Sequence, residues 1–315
     1  MASRSLRIVE YSPQHEETWD SLVASARNGL FLFDRSYMDY HSDRFEDASL
    51  LFYTGDAPIA LLPANLRDRT LFSHEGLTFG GVVSGNRMTT GTMIDLFEAL
   101  LEYLKARGIA KLVYKAVPHI YHSLPAEEDL YALFRTGATL IRRDLSLSIY
   151  MPDRMRFQER RRRVIRKAGR RALSVSQSFD FDGFMGTVAR VLMERHGVQP
   201  VHTGDEMELL ASRFPDNIKL FTACDNGSIL AGTIIYESDN VAHCQYLASS
   251  PEGREAGALD AVINYLVSEH YGSKKYFDFG ISTERDGRFL NAGLCEFKEG
   301  FGARAVAYDW YGLGL

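Results

Sequence analysis

The segment Lys275–Gly302, KYFDFGISTERDGRFLNAGLCEFKEGFG, joins a strand, a polar turn and a glycine-closed helix. Tyr276 to Phe279 alternate aromatic and polar side chains as a half-buried strand does, and Gly280 lets the backbone turn or lets a ligand approach closely. Ser282, Thr283, Glu284, Arg285 and Asp286 then crowd hydrogen-bonding groups at the strand's end, where open sheets place ligands. Leu290, Leu294 and Phe297 recur at helical spacing, Lys298 falls in the last turn, and Gly300 and Gly302 supply a stop.

Outward from that segment, 315 residues at 45% hydrophobic and 24% charged bury a large core and suggest two domains. A formal charge of −5 gives no global reason to bind nucleic acid, so any anion site must be a local patch. Cys224, Cys244 and Cys295 form no metal-ligand spacing and read as small buried residues of a reducing compartment. The start MASRSLRIVEY lacks a signal-like apolar stretch and no window reaches membrane-span length, so the expectation is a cytoplasmic protein with no membrane span. No P-loop, GxSxG, HExxH or paired-cysteine motif occurs.

In chain order, Leu6–Tyr11 reads as a strand, Pro13–Arg27 and Asp34–Phe45 as helices, and Ser49–Tyr53 with Ile59–Pro63 as a hairpin across Gly55-Asp56. A strand over Leu71–Val83 carries SHEGLTFGG (73–81), odd for a core strand because it holds two ionisable groups and three glycines. A capped helix to Arg107, a strand Lys111–Val117, a helix Pro125–Arg135 and a strand Thr139–Tyr150 follow. The second half repeats the order. Leu173–Gln177 is a strand, Phe181–His196 and Gly204–Arg213 are helices, and Ile218–Cys224 with Ile229–Tyr236 form a hairpin across Asn226-Gly227. Val241–Leu247, helix Ala258–Tyr271, Tyr276–Phe279, helix Leu290–Lys298 and Arg304–Tyr311 complete it.

This order resembles the GNAT acyltransferase fold in tandem. Asp278-Phe279-Gly280 followed by Phe297-Lys298-Glu299-Gly300-Phe301-Gly302 resembles the signature of its Fem-like, two-domain branch, and the basic segment Arg160–Arg171 and strand residues His243-Cys244-Gln245-Tyr246 extend the likeness over nearly the whole chain. The resemblance implies an α/β (α+β) fold of two GNAT-like domains, 1–151 and 152–315, each a mixed, mostly antiparallel sheet flanked by helices. The first is expected to have lost donor binding and to help form an acceptor cleft, with Tyr40, His41, His74 and Glu75 facing substrate. The second is expected to bind acyl-CoA and to carry the chemistry, without a metal.

In such a fold the acyl thioester lies between two strands that part company. Leu247, Ser249, Gly253, Arg254, Ala256, Gly257 and Asn291 are accordingly the residues expected at the donor, Ser249–Ala258 offering small residues and an arginine where a pyrophosphate needs free N–H groups. Against the family pattern, Arg254 and Gly257 match, but Leu259 stands where Gly or Ala is usual. N-acylation needs a proton acceptor and an oxyanion donor. His243 is the candidate acceptor because imidazole ordinarily titrates near neutrality, the alternative being a satisfied core histidine. Asp278 and Glu284 are alternative bases, and Asp278 equally suits a structural acceptor. Lys298 resembles the family lysine near the reacting carbonyl, or simply complements its helix dipole. Gln245, Tyr246, Ser282 and Glu284 fall on the expected acceptor side.

From Arg154 to Arg171, ten of eighteen residues are Arg or Lys. The run, represented by Arg163, is either a solvated helix face or a phosphate clamp for a sugar nucleotide, CoA or a tRNA acceptor stem. The long helical hairpin common to tRNA-dependent Fem enzymes is absent from the sequence pattern. The resemblance therefore points to an N-acyltransferase moving an acyl group from acyl-CoA to the amine of a nucleotide-linked (dideoxy)amino sugar in surface polysaccharide (lipopolysaccharide/O-antigen) biosynthesis, with no nucleic-acid partner. Its alternatives are a Fem-type aminoacyl-tRNA-dependent transferase and a non-catalytic binding protein of the same fold.

Overall fold

A computed structural model describes residues 6–171 and 173–315, so the expectation of no leader falls partly on residues 1–5, outside the described residues. The chain forms two compact units, one of Met1–Asp144, Arg285–Arg288 and Ala307–Leu315, the other of Leu145–Glu284 and Phe289–Val306.

In the first unit, Leu6–Glu10, Leu50–Thr54, Ala57–Leu62 and Val83–Ser84 pair antiparallel in one sheet. Lys111–Lys115 pairs antiparallel with residues 310–314 and parallel with Thr70–Phe72, which continues through Asn65–Arg67 to Glu46–Asp47. Helix Thr90–Ala106, capped by the Thr89 hydroxyl, buries Leu96, Phe97, Leu100 and Leu104 as their spacing of three and four requires. The strand expected over Leu71–Val83 is instead two short strands flanking an irregular loop. The cause is Lys115, whose buried ammonium donates to the carbonyls of His74, Glu75 and Leu77 at 3.0, 3.0 and 2.7 Å, drawing off oxygens that a ladder would use. The helix expected over Asp34–Phe45 is a single turn, Arg35–Met38, capped by Asp34 and prolonged by the 3₁₀ turn Asp39–His41.

In the second unit the strand order is Ser174–Ser178, Ile218–Asp225, Ser228–Glu237, Val241–Ser249, Tyr276–Ile281 and residues 145–150. The Asn226-Gly227 hairpin forms as its sequence dictates, with φ of 48° and 81° at the two turn residues. One face of this sheet buries Phe221, Ile235, Ala242, Cys244, Phe277 and Phe279 against Val262, Ile263 and Leu266 of the helix Ala258–Tyr265 and the turn after it. At about 1.5–3 kcal/mol per fully buried large apolar side chain, this cluster is the main stabilising layer of the unit. The expected helix Ala258–Tyr271 passes into a π turn at Leu266–His270. The turn expected at Ser249–Ala258 contains a short helix of its own, Pro251–Ala256, separated from the next by Gly257 at φ 76°.

Gly253 is where this helix meets the sheet, since a Cβ there would lie 2.1 Å from the Leu230 carbonyl oxygen. Gly253→Ala is therefore expected to cost about 1–3 kcal/mol, exceeding the roughly 1 kcal/mol that alanine gains in a helix. A thermal melt checks this. A midpoint at or above that of the parent protein means the backbone yields there.

Candidate active site

On one side of strand Val241–Ser249, residues 242–249 pair antiparallel with residues 231–237, with a bulge that leaves Gln245 unmatched. On its other side it pairs in parallel with Tyr276–Ile281 for three residues only, Val241↔Tyr276, Ala242↔Phe277 and His243↔Asp278. Beyond His243 the two strands separate. Gly280, at φ 73°, lies in the opening, and a Cβ there would sit 3.4 Å from His243 Cε1 and 3.5 Å from the Cys244 carbonyl oxygen. Side-chain alternation puts His243 and Asp278 on the face opposite Cys244, Phe277 and Phe279.

At the fork, His243 Nδ1 lies 2.6 Å from Asp278 Oδ2, and both residues are buried. Asp278 Oδ1 accepts from the hydroxyls of Ser146 at 2.7 Å and Ser148 at 2.5 Å. Burial would raise the Asp278 pKa, but the hydrogen bond and charge of His243 and the two serine hydroxyls outweigh it and hold the carboxyl down at about 2. An ionised Asp278 requires a proton on Nδ1, which leaves Nε2 as the basic nitrogen. This fits the proton acceptor that N-acylation needs.

Lys298 is buried and donates to the carbonyls of Gly280 at 2.8 Å and Ile281 at 2.7 Å, with its pKa pushed down by burial to about 8. It holds the diverging strand in its parted path. Ser282, one residue on, is buried with no hydrogen-bond partner for its hydroxyl among the described residues. Burial pushes the Cys244 thiol up to about 12 and raises Cys295 too, so neither supplies a thiolate.

The other expected site residues separate into groups. The Tyr246 hydroxyl lies 2.6 Å from His202 Nδ1 and is pushed up to about 12 by burial. Glu284 accepts from Asn291, and Asn291 caps helix Ala292–Glu299 through the Leu294 N–H. At Leu247–Gly257, the Ser250 hydroxyl accepts from Gly253 N–H and Arg254 Nη1 donates to the Ser249 carbonyl at 2.9 Å. The Glu252 carboxyl, exposed beside them, is lowered by its own backbone N–H and by Ser250. Ala256 and Gly253 are buried in the helix, and Gly257 packs against Val164. In the first unit, Tyr40 stacks on His41 (ring centroids 4.3 Å apart), His41 on His74 (5.4 Å), and Glu75 accepts from Asn65 at 3.0 Å. Burial drives His74 down to about 3, which keeps its ring neutral. Arg163 is exposed, 3.5 Å from Glu159.

Sequence reasoning missed Ser146, Ser148 and His202. The serines alternate with Leu145, Leu147 and Ile149, a pattern that reads as a solvated face, yet they are buried against the aspartate. His202 lies in an irregular loop and carries no periodic signal.

Because its native pKa lies below the reference 3.8, Asp278 contributes stability that is fully present above pH 3.8 and is lost as the pH falls through about 2. Asp278→Asn is thus expected to be less stable than the parent near neutrality, the gap narrowing below pH 3.8. Urea unfolding across that range tests it, and a gap independent of pH would mean the carboxylate is not ionised in the fold.

Residues 157–298 match the family model for an acetyltransferase (GNAT) domain. No curated protein matches the chain. Among solved structures, FemX superposes with a TM-score of 0.66 at 13% identity, covering 96% of each chain. The C-terminal domain of a putative lysylphosphatidylglycerol synthetase from Agrobacterium fabrum gives 0.61 at 11%, covering 95% of this chain and 90% of that one. A tandem GNAT protein from the clavulanic acid biosynthesis pathway gives 0.52 at 12%, covering 98% of each. At these identities the likeness is one of fold, and among the described residues no helix is long and apolar enough to cross a membrane. Over residues 157–298 the chain is similar to the acetyltransferase (GNAT) domain family, and it is an acyltransferase.

Proposed function

We propose that the protein transfers an acyl group from acyl-CoA to a primary amine, with His243 as proton acceptor and Asp278 as the group that orients it. The observation that carries this reading is the coincidence of two features, strands that stop pairing at His243↔Asp278 and a histidine–carboxylate pair at that point. The opening fits a pantetheine arm, because the edge of Cys244–Ser249 has no partner in the neighbouring strand and Gly280 leaves clear the space that a Cβ would enter. Acyl-CoA supplies an activated carbonyl.

The residues do the remaining work. As the amine attacks the thioester carbonyl, His243 Nε2 would take the proton it sheds, and Asp278, fixed by Ser146 and Ser148, would stabilise the imidazolium; the C–S bond then breaks as the adduct collapses to the amide, and the departing CoA thiolate takes up that proton to leave as the free thiol. Backbone N–H groups along the edge that stops pairing after His243 would serve as donors for developing negative charge. Lys298 acts by holding Gly280 and Ile281, whose carbonyl oxygens take two of the three donors of its ammonium. Direct attack is favoured over a covalent thiol route, given that Cys244 is held neutral by burial.

For the acceptor we infer a nucleotide-linked amino sugar of surface polysaccharide biosynthesis, a reading that rests on the Fem-like sequence signature. The second reading, an aminoacyl-tRNA donor as in Fem-type transferases, draws support from the basic stretch 154–171.

A thiol-release assay with acetyl-CoA and a panel of amino-sugar nucleotides tests both. His243→Ala is expected to lower kcat about 10²–10⁴-fold while leaving CoA-induced thermal stabilisation intact. Thermal stabilisation by aminoacyl-tRNA with none by CoA would transfer the assignment to the second reading. An unchanged rate in His243→Ala would remove the histidine from the chemistry.

A further inference from the structure

Helix Glu159–Arg170 and the segment before it border a surface groove of about 370 Å³. Four arginines line it, Arg154, Arg156, Arg162 and Arg166, with Met155, Phe157 and Ile165 between them. The opposite wall is Asn264 and Ser268, at the π turn that ends helix Ala258–Tyr265. Arg154 is fixed there, donating at 2.7 Å to the Val267 carbonyl. Arg162 and Arg166 share the single carboxylate of Glu159, which their hydrogen bonds hold at about 2. Arg162 Nε is buried with no hydrogen-bond partner among the described residues. The groove lining thus holds four guanidinium groups and no carboxylate, an excess of positive charge that a further anion would offset.

The apolar members narrow the choice. Met155 is half exposed, at 50%, and Phe157 and Ile165 are partly so, giving an apolar strip beside the arginines. A nucleic-acid backbone or a free sugar nucleotide gains little from such a strip, whereas a phosphate that carries glycerol and acyl carbons uses both parts. The volume, about a dozen waters at roughly 30 Å³ each, holds a phosphodiester and a few methylenes but not a whole lipid. The chain is otherwise acidic, so the attraction is confined to this patch.

We propose that this groove docks the phosphodiester headgroup of an acidic phospholipid and so holds the protein at an anionic membrane surface. The docking requires no membrane span and stands apart from the transfer chemistry at His243.

Co-sedimentation of the whole protein with phosphatidylcholine vesicles, with and without phosphatidylglycerol, tests it. Retention is expected only on the phosphatidylglycerol vesicles and is expected to fall as salt rises. Arg156→Gln should weaken it about five-fold. Met155→Ser, which changes no charge, should weaken it as well, a loss that a purely electrostatic patch would not show. Both variants should retain the parent's thermal midpoint. The proposal is overturned if neutral and acidic vesicles retain the protein equally, or if neither variant weakens retention. It is overturned too if pyrophosphate stabilises the protein in an Arg156-dependent way while vesicles do not retain it, since the groove then serves a soluble phosphate.

Discussion

A carboxylate sealed from water must be met on every side by donors, and Asp278, fully buried, sets that requirement at the centre of the second unit. Two serine hydroxyls from one neighbouring strand and an imidazole from the other meet it. Those three contacts lock the registers Asp278↔Ser148 and His243↔Asp278 together. A slip of one residue in either pair would turn the donors to the other face and strand the charge. The same requirement fixes the histidine tautomer, so sheet register and proton-transfer geometry have one physical cause.

What happens beyond that point depends on a second buried ion. A parallel pair would ordinarily continue while its backbone groups have partners, because an unpaired buried carbonyl is costly. Lys298 removes the difficulty by supplying a donor to Gly280 and Ile281 in place of the neighbouring strand. The first unit uses the same device, since Lys115 gathers the carbonyls of His74, Glu75 and Leu77 and burial pushes its ammonium down to about 7. In each unit an ammonium stands in for a stretch of ladder, and an irregular path becomes a stable one.

This explains what the sequence could and could not disclose. Helix Phe181–His196, helix Gly204–Arg213 and strand Thr139–Tyr150 are legible to the residue, because periodicity and caps act locally. The DFG strand and the lysine helix were legible as elements too. The broken strand after Phe72 was not, because a lysine some forty positions later in the chain decides it. Ser146 and Ser148 went unmarked for a related reason. Their alternation with leucines is the signature of a half-solvated strand, and only the buried aspartate opposite turns that polar face inward. The turn at 249–257 offered the right residue types for an anion, but whether its donors are spoken for depends on Ser250 and Glu252 folding back, which spacing does not reveal.

The basic stretch shows how far charge alone misleads. Ten cations in eighteen residues suggest one polyanion-binding face, yet their duties differ. Arg161 pairs with Asp260 at 2.8 Å, lies over the Phe297 and Phe301 rings, and fastens its helix to the core. Arg160 meets Glu296, and Lys167 serves the Glu255 carbonyl at the end of the short helix. Burial raises Asp260 even though Arg161 opposes it, so this pair works by specifying one docking position for the helix more than by adding stability. Arg154, Arg156, Arg162 and Arg166 instead line the groove with Met155, Phe157 and Ile165, Arg154 tied to the Val267 carbonyl and Arg162 and Arg166 to Glu159. Fixing the helix with some of its arginines orients the rest, and a recognition surface is better defined when its scaffold is held by separate residues.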